Sequence, residues 1–279
     1  MSGIDLAGWA PEPVGVTDRV SRWSVDALAA LLDVTVAGAL PPLWHWLGFR
    51  ETVPQSALGE DGHPADGHFL PPLPHRRRMI AGGRLTFAAP LPVDAPIERT
   101  SSLAGVAVKR GRSGEMAFVT VRHEYRAGGM VAVTEEQDVV YRSQPPGTAR
   151  PLRREQAPEP AGDWRIELTP DEAMLFRFSA LTYNSHRIHY DHPYVTAVEG
   201  YPGLVVHGPL LAMLLLEIPR RHVPDREVAT FEYRLTAPAF AGERVVVTGS
   251  ADGDRVGLVA GVAGCAGSVS GVAGLRPPA

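Results

Sequence analysis

The chain has 279 residues, of which 44% are hydrophobic and 21% charged, and its formal net charge is -4 at pH 7. That composition supports a packed core and excludes both a disordered chain and broad electrostatic capture of nucleic acid. The single Cys265 excludes an internal disulfide and any multi-cysteine metal site, reads as a small buried apolar residue, and fits a reducing, cytoplasmic compartment.

Asp5, Pro11 and Pro13 interrupt the start of the chain before a signal-like apolar run forms. No stretch approaches the roughly 18–20 apolar residues of a membrane helix. SVDALAALLD (24–33) carries a helical apolar pattern with Ser24 as its N-cap. GRLTFAAPLPVDAPIERTSS (83–102) is echoed by YRLTAPAFAGERVVVTGS (233–250). In both, Arg-Leu-Thr leads through Ala and Pro to a charged, β-branched run. A period near half the chain predicts a duplicated fold. GEMAFVTVRHEYRAGGMVAVTEEQDVVYR (114–142) reads as two strands joined at Ala127-Gly128-Gly129, with Ala117, Val119, Val121 and Tyr125 sharing a face.

SQPPGTARPLRREQAPEPAGD (143–163) is rich in Pro, Gly and charge. It reads as a linker, placed at 144–162 between an N-terminal unit (1–143) and a C-terminal unit (163–279). TPDEAMLFRFSALT (169–182) predicts a helix with Pro170 in its first turn and Asp171 and Glu172 at the positive end of its dipole. HGPLLAMLLLEIP (207–219) is apolar nearly all round and predicts a buried helix opened by Pro209. Strand signals return at 243–248 and, weakened by glycines, at 255–275.

Chemistry concentrates in LTYNSHRIHYDHPY (181–194). His186 and His189 are three apart, so a helical segment puts them on adjacent faces of one turn, and Pro193 discourages further helix. His186, His189, Asp191 and His207 could ligate zinc on paper, but HxxHxDH matches no closed or catalytic spacing, so no metal is expected. Proton transfer fits better, because an imidazole titrates near neutrality. Asn184 is no base, but its amide can hold a water or a carbonyl. A polar loop that ties itself down is the bland alternative. EGYPGLVVHGPLLA (199–212) adds a second feature. Gly208 permits close approach to the backbone, and free N–H groups at a buried helix start stabilise a developing oxyanion. A tight turn into a core helix would use the same glycines.

FSALTYNSHRIHYD followed by YPGLVVHGPL resembles the MaoC-like enoyl-CoA hydratases and 3-hydroxyacyl-thioester dehydratases. The two-repeat branch is the most similar, with mitochondrial-type 3-hydroxyacyl-thioester dehydratase and the itaconyl-CoA or mesaconyl-C4-CoA hydratases. FLPPLPHRRRMIAGGRLTF (69–87) extends the resemblance into the first half. The resemblance implies an α+β double hotdog, two antiparallel sheets each wrapped around a central helix, with a catalytic set in the second unit only. In the broader family an aspartate stands five before the catalytic histidine. Asn184 takes that place here, and His186 stands where that motif has asparagine.

The implied activity is a hydro-lyase, reversibly hydrating an enoyl-CoA to a 3-hydroxyacyl-CoA. His189 would move protons, Asn184 would position water, and the Gly208 N–H would meet the oxyanion. No metal or redox cofactor is implied; coenzyme A arrives as part of the substrate. Tyr183, His186 and His207 are candidate substrate contacts. Arg76, Arg77, Arg78 and Arg84 are candidates for the coenzyme A phosphates, with a solvated loop as the alternative for the arginine run. Arg187 either pairs with a second carboxylate of a short branched acyl group, such as itaconyl or mesaconyl, or holds its own loop. Asp191 is a candidate for orienting an imidazole. The expected partner is acyl-CoA, with neither nucleic acid nor membrane, and the fold is compatible with a homodimer. A hotdog thioesterase and a non-catalytic acyl-binding subunit are the competing functions.

Overall fold

The structure is a computed structural model describing residues 4–111, 114–143 and 154–277. One half is built from β1 (Val14–Asp18), β2 (Arg76–Phe87), β3 (Ile97–Gly111), β4 (Gly114–Ala127) and β5 (Met130–Ser143). The other holds β6 (Trp164–Leu168), β7 (Val228–Leu235), β8 (Val245–Asp252), β9 (Arg255–Val262) and β10 (Gly267–Leu275). All ten strands join one antiparallel sheet in the order β1-β3-β4-β5-β2-β7-β10-β9-β8-β6. Read outward from the β2–β7 seam, both halves run through the same sequence of strands.

The seam register carries the duplication down to single residues. Gly82 faces Arg234, Gly83 faces Tyr233 and Arg84 faces Glu232. A shift equal to the spacing from Arg84 to Arg234 maps this ladder onto itself, so a pseudo-twofold axis passes through the Gly83–Tyr233 pair. The Arg-Leu-Thr echo is the sequence trace of that axis. A Cβ on Gly83 would stand 2.9 Å from the Glu136 carbonyl oxygen and 3.0 Å from the Tyr233 ring, so only glycine fits there. The double hotdog expected from the resemblance is present, its two sheets joined edge to edge as one continuous sheet. Backbone groups of β2 and β7 satisfy each other across the seam, which removes two exposed edges.

Among the described residues four α-helices accompany the sheet: α1 (Arg22–Leu31), α2 (Glu172–Thr182), α3 (His192–Ala197) and α4 (Gly208–His222). Every residue of α4 from Leu210 to Pro219 is buried, as its all-round apolarity requires. It packs along β6 to β10. A Cβ on Gly249 would sit 2.6 Å from Ile218 Cγ2 and one on Gly271 3.3 Å from Leu215 Cδ1, so glycines of β8 and β10 let this helix press onto the sheet. In the first half, α1 packs against α2 and the 3-10 turn Trp44–Leu47. The polar inner face of that half-sheet is left to line a cleft.

Several boundaries differ from the sequence reading. Ser21, not Ser24, caps α1, its hydroxyl accepting the Ser24 N–H at 3.1 Å. Asp171 caps α2 by accepting the Met174 N–H at 2.8 Å, which leaves Thr169 and Pro170 outside the helix. A side-chain oxygen nearer the first free N–H groups wins the cap in both cases. Pro193 opens α3 in its first turn, with Asp191 as N-cap, where helix was not expected. β4 and β5 meet at Gly128 and Gly129, both at positive φ, and Ala117, Val119, Val121 and Tyr125 are buried. Of the linker reading, 144–153 lies outside the described residues; Arg154–Asp163 contains one isolated bridge, Gln156 to Cys265.

Candidate active site

α2 ends at Tyr183, whose positive φ of 53° turns the chain back under the helix. The Asn184 N–H donates to the Ser179 carbonyl at 2.9 Å, and Asn184 Oδ1 accepts the His186 N–H at 3.0 Å. A 3-10 turn, Arg187–His189, follows. Arg187 donates to Asp191 at 2.8 and 2.9 Å, and its guanidinium lies 3.9 Å from the centre of the Tyr194 ring. Arg187 thus holds its own loop, the second of the two uses the sequence leaves open. Asp191 is committed to Arg187 and to the α3 cap, and does not orient an imidazole.

His189 is 7% exposed. Its Nδ1 lies 2.7 Å from the Val205 carbonyl, which can only accept, so Nδ1 carries the proton. In the neutral ring, Nε2 is then a free acceptor. The ring stacks on His207, centroids 3.7 Å apart. His207 is fully buried; its Nε2 is 2.8 Å from Ser179 Oγ, and its Nδ1 has no partner among the described residues. His186 meets His189 edge-on at 5.5 Å. Burial pushes His189 down to about 4 and holds His186 and His207 well below the usual imidazole range. These rings are neutral at pH 7 and do not titrate near neutrality as the sequence reading assumed.

A loop of the first half completes the site. The Arg187 N–H donates to the Asp61 carbonyl at 2.8 Å, Arg187 Nη1 to the Glu60 carbonyl at 2.9 Å, and Ser185 Oγ to the Gly62 carbonyl at 2.5 Å. Gly62 has φ +85°, and a Cβ there would stand 2.0 Å from the Ser185 carbonyl oxygen. This latch delivers His63, whose Nδ1 is 3.1 Å from Asp61 Oδ2 and whose ring lies 4.0 Å from that of His186. Sequence reasoning missed both residues; the signal was the Asp-Gly-His run at 61–63. The zinc set considered from sequence does not converge, since His189 and His207 are stacked and Asp191 belongs to Arg187. Among the described residues, Asp61, His63 and His186 do bring donor atoms within 4.8 Å of one another, a set that could hold a cation. The positive charge of Arg78 bears on all three and opposes one.

A cleft of about 670 Å³ runs between α2 and the inner face of the first half-sheet. One end is walled by Tyr183, Asn184, Ser185 and His63; Phe178 and Pro209 flank it further in. His186, His189, His207 and Gly208 are not among the cleft's lining residues but adjoin Asn184, Ser185 and Pro209, which are, in the chain or through the stacked rings. Among the described residues no side chain caps the start of α4. Leu235 Cδ2 would be 2.4 Å from a Cβ on Gly208, so packing alone demands that glycine.

The other end of the cleft is polar. Glu135, 1% exposed, accepts hydrogen bonds from His45 (3.1 Å), Trp46 (3.1 Å) and Tyr125 (3.2 Å). His123, which burial pushes down to about 4, lies 2.7 Å from Ser101 Oγ. Arg99 rests on the Phe49 ring, its Nε unpartnered, and makes no ion pair among the described residues.

The arginine run stands on β2 instead of a loop. Arg76, Arg77 and Arg78 line a second hollow of about 320 Å³, which meets the cleft at His63, Pro64 and Arg78. Arg76 bonds the Pro71 carbonyl at 2.8 Å, and Arg77 pairs with Glu199 and Tyr194. Arg78 makes no ion pair among the described residues. Arg84 is half-exposed, pairs with Glu136 and Asp138, and lines neither hollow.

A family model described as hydroxyacyl-thioester dehydratase type 2 matches residues 43–241. The chain is 43% identical over 266 residues to the mesaconyl-C(4)-CoA hydratase of Chloroflexus aurantiacus, covering 93% of this chain and 94% of that one. It is 28% identical to the mitochondrial hydroxyacyl-thioester dehydratase type 2 of Schizosaccharomyces pombe, covering 82% and 87%. The fold matches a MaoC-like dehydratase from Phytophthora capsici with a TM-score of 0.67 at 12% identity, covering 95% of both chains. HtdX of Mycobacterium tuberculosis matches with a TM-score of 0.66 at 14% identity, covering 94% of this chain and 99% of that one. The chain belongs to the hydroxyacyl-thioester dehydratase type 2 family, hydro-lyases that hydrate and dehydrate acyl thioesters.

Proposed function

We propose that the chain adds water across the double bond of a short dicarboxylic enoyl-CoA, and removes it in reverse, at the Asn184 end of the cleft. Family membership and the name of the Chloroflexus relative support the reaction and the acyl class. In this mechanism His189, neutral with Nε2 free, takes a proton from water. Asn184 has its Oδ1 occupied by the His186 N–H, so its amide N–H groups are what remain to hold that water. Hydroxide adds to C3. Charge moving onto the thioester oxygen meets the Gly208 N–H at the positive end of α4, and a proton reaches C2. This chemistry needs no cofactor beyond the coenzyme A carried by the substrate, whose phosphates we assign to Arg78, which lines both hollows. A cytoplasmic location belongs to the same proposal.

Arg99 carries the reading of the acyl group. Among the described residues this cation of the cleft forms no ion pair, and the neighbouring Glu135 is satisfied by three other donors. A carboxylate on the acyl group would supply what it lacks; a charge-assisted hydrogen bond contributes about 1.5–3 kcal/mol, or roughly tenfold or more in kcat/KM. The test is a panel of mono- and dicarboxylic enoyl-CoA thioesters followed by loss of the conjugated-thioester absorbance. The wild type should prefer the dicarboxylic members, and Arg99→Gln should erase that preference. Equal rates on both classes in the wild type would refute the acyl assignment.

A further inference from the structure

Four imidazoles form one continuous row from the first half into the second. His63 and His186 have ring centroids 4.0 Å apart, His186 and His189 5.5 Å, and His189 and His207 3.7 Å. Their partners differ in kind. His189 bonds a carbonyl and His207 a hydroxyl, whereas His63 bonds the carboxylate of Asp61. Among the described residues it is the one ring of the four hydrogen-bonded to a negative charge. A proton resting on any of the other three would be a buried cation without a counter-ion; on His63 the Asp61 carboxylate offsets part of the cost of burial and of the nearby Arg78 charge. His63 is also the ring of the four that lines the cleft.

We infer that the Asp61–His63 pair is the second proton carrier of the reaction, with His63 exchanging the proton at C2 of the acyl group while His189 exchanges that of water. The inference rests on the hydratase reading above. The carboxylate absent at Asn184 re-enters the site from the other half of the chain, as Asp61. Since the Asp61 oxygen can only accept, His63 carries its resting proton on Nδ1, and Nε2 is free to bind the travelling one.

In hydration, an O–H bond of water breaks, and its proton goes to His189 Nε2. The oxygen forms the bond to C3 as the π electrons of C2=C3 move toward the thioester carbonyl. The proton passes by way of His186 to His63. The Nε2–H bond of His63 then breaks as the enolate electrons form C2–H. Each ring returns to neutrality, and the substrate has gained H and OH. Dehydration runs the same steps backward, with His63 removing the C2 proton. Asp61, His63 and His186 could instead be used to bind a cation, so the test carries an arm for that use.

The experiment follows dehydration of a 3-hydroxyacyl-CoA, unlabelled or deuterated at C2, by wild type, His63→Gln and Asp61→Asn. His63→Gln should slow turnover by roughly a hundredfold or more with little change in KM. Asp61→Asn keeps the hydrogen-bond shape without the charge, and covers the case of a His63→Gln protein that does not fold. It should slow turnover and raise the isotope effect, because C2–H cleavage becomes the slower step. Near-normal turnover in His63→Gln, or a slowed Asp61→Asn enzyme with an unchanged isotope effect, overturns the inference. So does wild-type activity that is lost on chelation and restored by a divalent metal. A wild type inactive on every enoyl and hydroxyacyl thioester overturns the hydratase reading too; an active wild type with a silent His63→Gln leaves that reading standing.

Discussion

His189 lies flat against His207, ring centroids 3.7 Å apart and planes 17° from parallel. Two buried imidazoles this close cannot both be charged. The stack therefore links the site to the acid stability of the fold. In the folded chain His189 binds its proton at about 4, against 6.5 when solvated. As pH falls below 6.5 the unfolded chain takes up protons that the folded chain refuses. Stability should therefore be fully present above pH 6.5 and decline toward pH 4, where the His189 contribution levels off. The gap corresponds to about 3 kcal/mol for His189 alone. Denaturant unfolding at pH 7.5 and pH 4.5 measures it, and His189→Gln should flatten the dependence. An unchanged midpoint across that range would show that His189 is not held neutral.

Gly62 is the point where the two halves touch most closely at the site. Gly62→Ala would force a Cβ to 2.0 Å from the Ser185 carbonyl oxygen at a φ of +85° that L-residues rarely adopt. The loop carrying Asp61 and His63 should separate from the 184–187 segment. Activity should fall by at least tenfold while the sheet remains folded, because the latch lies outside the strands. Circular dichroism beside a turnover assay separates the two effects; a wild-type turnover would show that the latch is dispensable.

Arg187 provides a discriminating control. Its guanidinium is engaged by Asp191, the Glu60 carbonyl and the Tyr194 ring, which leaves it no role in reading a second carboxylate. Arg187→Met should lower thermal stability, yet leave the ratio of rates on dicarboxylic and monocarboxylic thioesters unchanged. A shift of that ratio toward monocarboxylic substrates would return Arg187 to the acyl pocket in place of Arg99.

Much of this was legible in the chain itself, for physical reasons that also mark where legibility stops. α4 announces itself because a helix buried on all sides must be apolar on all sides, and the β4–β5 hairpin because strand alternation and a Gly-Gly turn are local signals. The cap of α1 lies three residues before Ser24, since Ser21 and Ser24 are chemically equal and only the approach of the chain selects between them. The 181–194 segment was recognised because its residues are adjacent in sequence. His63 was not, because its bond network to that segment spans 123 residues and no spacing rule reaches so far. Arg99, His123 and Glu135 escaped notice for a related reason. Each alternates into a strand pattern that reads as ordinary, and only the sheet gathers them onto one polar inner face.

Substitution of His189 by Gln tests the central claim most directly. Gln can still donate from its amide to the Val205 carbonyl and fill most of the ring's volume, so binding of a substrate thioester should persist. Rapid-mixing hydration of a saturating enoyl-CoA should be slowed by roughly 10²–10⁴-fold relative to wild type. A rate within a few-fold of wild type, in a folded protein that binds substrate equally well, would mean that this imidazole does not carry the proton.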